Sequence, residues 1–404
     1  MVHFRFKNTY FFSVILMLSL FIFYGYSCNS NIDNNTPQNK IVVGANQTTK
    51  YLSLLKGKNV AVVANQTSVV FKDNATYVHL VDSLISQKIN IVKVFAPEHG
   101  FRGKADAGEH VADGIDTKTN LPVFSLFGKN RKPKLELLDD VEIVVFDIQD
   151  VGVRFYTYIS TMSNMMEACA EKGIPMLILD RPNPNGYYVD GPTLEPTHSS
   201  FLGMHPIPLV YGMTIGEYAQ MVNGEKWLKN GLQCKINIIP LKNYNHQSEV
   251  HLPIRPSPNL PNDKSINLYP SLGFFEGTII NAGRGTEFQF QRYGAPFFPE
   301  DDFSYIPKPN FGSKYPKFDK EKCYGVDLRK TKKLSKVNIS FLVDAFNKTP
   351  KDKVFFGKTF THHAGTLKLQ KQLEAGMSAE EIRTSWQPAI ETFKKTRTKY
   401  LIYD

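Results

Sequence analysis

Four strand-length apolar runs, each followed at once by a polar cluster, constrain this chain most. Val60-Ala61-Val62-Val63-Ala64, Ile91 to Phe95, Glu142 to Phe146 and Met176-Leu177-Ile178-Leu179 read as buried strands. Helix-spaced patterns alternate with them: Tyr77 to Ser86, Phe155 to Glu171, and Thr214 to Leu228 with Thr214 as N-cap. Strands without polar alternation have both faces covered, and regular strand–helix alternation implies a parallel sheet. The expected first domain is therefore α/β and Rossmann-like, over residues 41–239. From Pro240 the pattern changes. Residues 243–316 are rich in Pro, Asn, Gly and aromatics, and helical periods return after Lys333, including Ala379 to Arg397. A smaller α+β auxiliary domain is expected over 240–404, with the active site in the cleft between the two.

In a parallel sheet all carboxyl ends of the strands point to one edge, where ligands bind. Here those ends are Ala64-Asn65-Gln66-Thr67-Ser68, Pro97-Glu98-His99-Gly100-Phe101-Arg102-Gly103, Asp147-Ile148-Gln149-Asp150-Val151-Gly152-Val153-Arg154 and Asp180-Arg181-Pro182-Asn183-Pro184-Asn185-Gly186. One edge would thus collect carboxylates, amides, arginines and a histidine. No G-x-G-x-x-G follows the first strand, so no dinucleotide is expected. His99 lacks an HExxH-type partner and His110 is not at helix spacing from it, so no metal is expected. Cofactors are accordingly expected to be absent. Glu98, carried past the strand by Pro97, suits a general acid. The second domain adds Arg255-Pro256-Ser257-Pro258-Asn259-Leu260-Pro261, Gly283-Arg284-Gly285-Thr286 and Gln289. Polar side chains among aromatic rings suit sugars.

The N-terminus supplies an address. Met1 to Lys7 is basic, Tyr10 to Tyr26 is nearly all apolar, and Cys28 follows Ser27. Residues 1–27 read as a lipoprotein signal peptide, Cys28 as the lipidated residue and 28–40 as a tether. The expected location is the bacterial cell envelope, on its periplasmic or surface face, anchored to the membrane by lipid. Cys169, Cys234 and Cys323 show no metal-ligand spacing and read as buried free thiols. The formal charge is +10, but lysines are spread along the chain with no arginine-rich block, so nucleic acid is not an expected partner.

The Glu-His-Gly segment, Phe146 to Tyr158, Asp180 to Gly186, Pro256 to Pro261 and Gly283 to Thr286 resemble the NamZ-type exo-β-N-acetylmuramidases. The resemblance implies a Rossmann-like domain, an auxiliary domain and a site between them. It implies release of N-acetylmuramic acid from the non-reducing end of peptidoglycan fragments, with peptidoglycan-derived sugars or muropeptides as partners. Its acidic candidate maps onto Glu98. A non-catalytic muropeptide-binding surface lipoprotein is the alternative. Glycoside hydrolysis normally uses two groups. Beside Glu98 as the acid, with His99 a further catalytic candidate, Asp150, Asp147 and Glu109 are unranked candidates for the second group, and attack by the substrate's own 2-acetamido group is a further route. Asn65, Arg102, Glu109, Asp147, Gln149, Arg154, Asp180, Arg181, Asn183, Asn259, Arg284 and Gln289 are candidate substrate contacts. Arg284, between two glycines and without an adjacent acid in sequence, is the candidate for the lactyl carboxylate.

Overall fold

The computed structural model describes residues 1, 40–73, 76–102 and 113–404. Cys28 and Glu109 lie outside the described residues. Twelve strands are labelled here: β1 Val60–Ala64, β2 Val69–Phe71, β3 Tyr77–His79, β4 Ile91–Ala96, β5 Gly114–Ile115, β6 Pro122–Ser125, β7 Ile143–Asp147, β8 Met176–Leu179, β9 Ile236–Ile239, β10 Arg292–Ala295, β11 Ser304–Tyr305 and β12 Cys323–Asp327. The helices are α1 Thr48–Leu55, α2 Leu80–Ser86, α3 Tyr158–Lys172, α4 Ile215–Gly224, α5 Asp263–Leu272, α6 Ser340–Lys348, α7 Phe360–Ala364, α8 Lys368–Glu374, α9 Ala379–Ser385 and α10 Gln387–Arg397.

The main sheet has seven strands in the order β5-β6-β4-β1-β7-β8-β9. Every pairing in it is parallel except β5 on β6. Counting only the parallel strands, the order is 3-2-1-4-5-6, that of dinucleotide-binding doubly wound sheets. The chain starts at the centre, winds outward through β4 and β6, and returns to lay β7 beside β1. A crevice opens where the winding reverses, so the carboxyl ends of β1 and β7 flank the ligand position.

Successive residues of each central strand serve opposite faces. Ala61, Val63, Val144, Phe146, Met176 and Ile178 join one core with α3 and α4. Val60, Val62, Ile143, Val145, Leu177 and Leu179 join a second core with Tyr51 and Leu55 of α1 and Leu80, Val81 and Leu84 of α2. This two-sided burial is why the strands carry Val, Ile and Leu without alternation. α3 ends where Gly173 takes a left-handed conformation, and α4 begins at a capping box between Thr214 and Glu217.

Three expectations need correction. Tyr77 to Ser86 is not one helix: β3 pairs antiparallel with β2, and the helix starts only at Leu80, with the His79 ring accepting from Val81 N. The proline-rich stretch hides α5, which Asn262 caps and in which Pro270 falls near the end. Ala379 to Arg397 divides into α9 and α10 at Trp386, whose indole donates to Asp190 Oδ1 at 3.1 Å; Pro388 stands in the first turn of the next helix. Cys169, Cys234 and Cys323 are free and buried.

After β9, the chain adds α5, the antiparallel sheet β10-β12-β11 and the helices α6 to α10. These share the larger core with α3 and α4, and residues Ile41–Asp404 form one compact unit. The C-terminus closes back on the main sheet. Tyr403 donates its hydroxyl to Asp180 Oδ2 at 2.7 Å and accepts from Leu241 N at 2.8 Å. Glu217 Oε1 accepts from Ile402 N and Tyr403 N at 2.9 and 3.2 Å. Tyr403→Phe would orphan a buried amide and remove one donor from Asp180. The expected cost is ~1–3 kcal/mol, read as a lower urea midpoint with an unchanged slope. An unchanged midpoint would show that this closure contributes nothing.

Candidate active site

The first catalytic candidate hangs from β4. Pro97 carries the chain off the strand, and a turn closed by Gly100 N on Pro97 O at 3.0 Å follows. His99 and Gly100 both take left-handed conformations, with φ of 71° and 79°. That conformation is costly for His99, and such strain concentrates at functional sites. Glu98 is half-buried, and Thr157 Oγ1 donates to its Oε2 at 2.9 Å.

The second candidate follows β7. Asp150 is buried; Gly152 N donates to its Oδ2 at 2.6 Å, and the Tyr211 hydroxyl donates to the same oxygen. Its Oδ1 has no hydrogen-bond partner among the described residues. Burial pushes the carboxyl up to about 7, against the pull of the Tyr211 hydroxyl and the Gly152 and Val151 amides. At neutral pH this group therefore exchanges a proton readily, as an acid–base catalyst must.

Both carboxyls act electrostatically on a cluster of tyrosines. Tyr156 and Tyr158 lie with ring centroids 4.7 Å apart, and Tyr156 lies 6.2 Å from Tyr269. Burial raises the Tyr158 hydroxyl, as do Glu98 and Asp150, while the Asn65 amide facing it opposes them. Burial likewise raises Tyr269; Glu276, Glu98 and Asp150 push the same way, and Arg284 opposes. Asn65, Glu98 and Asp150 thus act on the Tyr158 hydroxyl, and Glu98, Asp150 and Arg284 on that of Tyr269. The Tyr156 and Tyr158 hydroxyls donate to Pro256 O at 2.7 and 3.3 Å. Gln66 Nε2, beyond β1, reaches Arg255 O and Pro256 O at 3.2 and 3.1 Å. The segment carrying Asn259 is so fixed against the sheet edge. Both side-chain amide atoms of Asn259 and Oε1 of Gln289 are buried without partners among the described residues. Gln289 precedes Phe290, whose ring lies 4.8 Å from Tyr269. Buried polar atoms are rarely left unpaired, and here they fall on side chains suited to sugar hydroxyls.

Other candidates sit elsewhere. Arg154 is wholly buried and donates to the carbonyls of Pro192, Ile207, His363 and Ala364 at 2.6, 3.0, 3.1 and 2.8 Å. Both its Nη atoms are thus taken up by carbonyls inside the fold, while its Nε has no partner among the described residues. Arg181 and Asp147 form a buried two-point ion pair at 2.6 and 2.9 Å. That leaves Asp147 no part as a rival to Asp150. Asp180 is saturated by Arg181 N, Gly216 N, Thr214 and Tyr403. Asn183 donates to Met213 O at 2.8 Å and caps Asn185 N. Gln149 donates to Asp150 O and Pro182 O at 2.8 and 2.6 Å, which shapes the loop that holds Asp150. Arg102 grips Asp116 at 3.2 and 2.8 Å, not Glu98. Arg284 does have an acid: its Nη1 meets Glu276 Oε2 at 2.7 Å and its Nη2 meets Gly312 O at 3.2 Å. Burial would raise Glu276, but Arg284, Lys317 and His363 outweigh it and hold the carboxyl low. Tyr211 and Thr157 were not foreseen as site residues; Thr157 could have been, since it lies inside the Phe155-Tyr156-Thr157-Tyr158 motif. Among the described residues no cluster of three or more His, Cys, Asp or Glu could hold a metal.

The profile described as exo-beta-N-acetylmuramidase NamZ, N-terminal, matches residues 60–264, and its C-terminal counterpart matches residues 267–403. The chain belongs to the NamZ exo-β-N-acetylmuramidase family. A NamZ relative in Bacillus subtilis (strain 168), named peptidoglycan beta-N-acetylmuramidase NamZ, is 40% identical over 375 residues, covering 87% of this chain and 89% of that protein. Two solved DUF1343 family proteins from Bacteroides fragilis NCTC 9343 share the NamZ-like fold. One has a TM-score of 0.82 at 42% identity, the other 0.78 at 27%; each comparison covers 90% of this chain and 99% of the other.

The raised Asp150 carboxyl has a measurable consequence. In the unfolded chain it ionises near 3.8, in the folded chain near 7. Its contribution to stability is full below the lower value and is lost as pH rises to the upper one. Asp150→Asn keeps acceptors for Tyr211 and Gly152 but cannot ionise. The difference in unfolding free energy, variant minus wild type, should rise between about pH 4 and pH 7 and level off above. A flat difference would show that Asp150 is not held protonated.

Proposed function

We propose that the protein is an exo-acting glycosidase that releases N-acetylmuramic acid from the non-reducing end of peptidoglycan fragments. The observation that carries this reading is the pairing of Glu98 with Asp150 around the Tyr156, Tyr158 and Tyr269 wall, in a chain of the NamZ family. Glu98, half-buried and oriented by Thr157, protonates the leaving glycosidic oxygen. Asp150 is the second carboxyl, its free Oδ1 turned to the sugar and its proton affinity near neutrality set by burial. Asn259 and Gln289 supply hydrogen bonds for sugar hydroxyls or the acetamido group.

Glu98→Gln keeps the acceptor for Thr157 and removes the proton. Turnover of a nitrophenyl N-acetylmuraminide should fall ~10²–10⁴-fold, with the melting temperature unchanged. Near-normal kcat in this variant would remove Glu98 from the chemistry.

We further propose that residues 1–27 direct export and that Cys28 carries the lipid which holds the enzyme at the cell envelope. The basic start, the apolar run and the small residue before Cys28 support this. Cys28→Ser should move the protein from the membrane fraction to the soluble one, or leave unprocessed precursor. Unchanged fractionation and mass would count against a lipid anchor.

A further inference from the structure

An exo-acting site must seat the terminal sugar in a closed end and leave the rest of the chain an open way out. Two adjoining hollows lie outside the carboxyl end of β1, next to the tyrosine wall. One, of about 300 Å³, is lined by Gln66, Tyr77, Pro253, Arg255, Pro258 and Phe311, among others. The other, of about 370 Å³, shares Gln66 and Tyr77 and continues past His79 to Lys118. Gln66 follows Asn65, which faces Tyr158, and Pro258 precedes Asn259, so the first hollow is lined by the chain neighbours of two candidate site residues.

Two large rings stand exposed on its walls: Tyr77 is 51% and Phe311 62% accessible. Neither is on a loose end. Tyr77 belongs to β3, paired with Phe71 of β2. Phe311 tips a tight turn in which Asn310 and Ser313 exchange backbone hydrogen bonds of 2.9 and 3.1 Å. Asn310 Nδ2 ties that turn to Thr286 O at 3.0 Å, and Arg284 holds Gly312 O at 3.2 Å. A Cβ on Gly312 would come within 2.8 Å of Asn259 Oδ1, so the turn sits directly against the site segment. Two exposed rings on the wall of one hollow form an apolar patch of the kind that marks a binding groove. Rings flanked by an amide and a guanidinium suit a sugar, whose C–H face stacks while its hydroxyls meet the polar groups.

We infer that Tyr77 and Phe311 form an aglycone subsite, in which the glycan chain beyond the scissile bond is stacked while the terminal sugar is cleaved. This rests on the muramidase reading. Gln66 and Arg255 serve the hydroxyls of the stacked sugar, and Arg284 acts as a positioning residue by clamping the Phe311 turn. The subsite favours chains over simple glycosides through binding, not through the chemical step.

The test compares a nitrophenyl N-acetylmuraminide with a peptide-free tetrasaccharide of alternating N-acetylmuramic acid and N-acetylglucosamine. Tyr77→Ala and Phe311→Ala should each lower kcat/KM on the tetrasaccharide about three- to tenfold, mainly through KM. Turnover of the nitrophenyl glycoside should be retained, and Phe311→Trp should retain the tetrasaccharide rate. Equal loss on both substrates, or no loss on either, would overturn the subsite while leaving the muramidase reading intact. Wild-type protein that releases no sugar from either substrate would overturn both.

Discussion

The structure depends on one buried cation. Arg154 is 0% accessible and spreads its guanidinium over carbonyls from two distant parts of the chain, Pro192 and Ile207 on one side and His363 and Ala364 on the other. Carbonyls carry only partial charge, so burial still makes this guanidinium easier to deprotonate than usual, at about 9. Removing it would leave several buried carbonyls without donors, which is why its loss would cost more than one hydrogen bond. It also dictates glycine at its neighbours. A Cβ at Gly365 would lie 2.4 Å from Nη2, and one at Gly203 3.0 Å from Cδ. Backbone hydrogen bonding from Arg154 N to Leu209 O fixes the loop from the same residue. That loop carries Asp150 before it and Tyr156, Thr157 and Tyr158 after it, so the position of the second carboxyl and of the tyrosine wall follows from how Arg154 is held.

Around this brace, charged residues at the strand ends divide into two kinds. Asp147 with Arg181, and Asp180 with Thr214 and Tyr403, have every strong donor or acceptor matched and join pieces of backbone far apart in sequence. Asp150, Asn259 and Gln289 keep buried atoms without partners among the described residues. Each unmatched atom costs ~1–3 kcal/mol unless something arrives to pair with it. The matched groups Asp147 and Asp180 lie at the carboxyl ends of β7 and β8, and Asp150 follows β7 at the edge where the winding order places a ligand.

The four central strands β4, β1, β7 and β8 were legible because burial on both faces leaves uninterrupted apolar runs such as Val60 to Ala64; the partly exposed β5, β6 and β9 lack such runs and were not. Thr214 was legible as a cap because a capping box needs only two residues three apart. The hairpin of β2 and β3 was not, since Tyr77-Val78 also fits the apolar spacing of the helix that follows. α5 was masked by Pro270 and the break at Trp386 by continuous helical spacing, both being set by tertiary contacts. In the site, residue type identified the motif but not the division of labour within it. Arg154 and Arg181 look alike in sequence, yet one is satisfied by carbonyls and the other by a carboxylate. The acid for Arg284 is Glu276, eight residues earlier, and only the Gly273–Gly277 turn of helix brings the two together.

The two candidate carboxyls, Glu98 and Asp150, differ because their settings differ, and this difference is itself a product of the fold. Glu98 stands at a strand end just before the left-handed His99 and Gly100, half-buried, with the Thr157 hydroxyl donating to its Oε2. Asp150 lies under the tyrosines, where desolvation outweighs the Tyr211 hydroxyl and two amides and keeps its proton to about pH 7. A carboxyl placed so deep destabilises the folded chain at neutral pH. The surrounding rings nevertheless cannot be thinned to relieve it. Tyr156 and Tyr158 hold the Pro256 carbonyl, Pro256 leads into Asn259, and Asn259 touches the turn that presents Phe311. Admitting water to Asp150 would therefore loosen the sugar-binding wall as well, so the destabilising burial and the shape of the site are set by the same side chains.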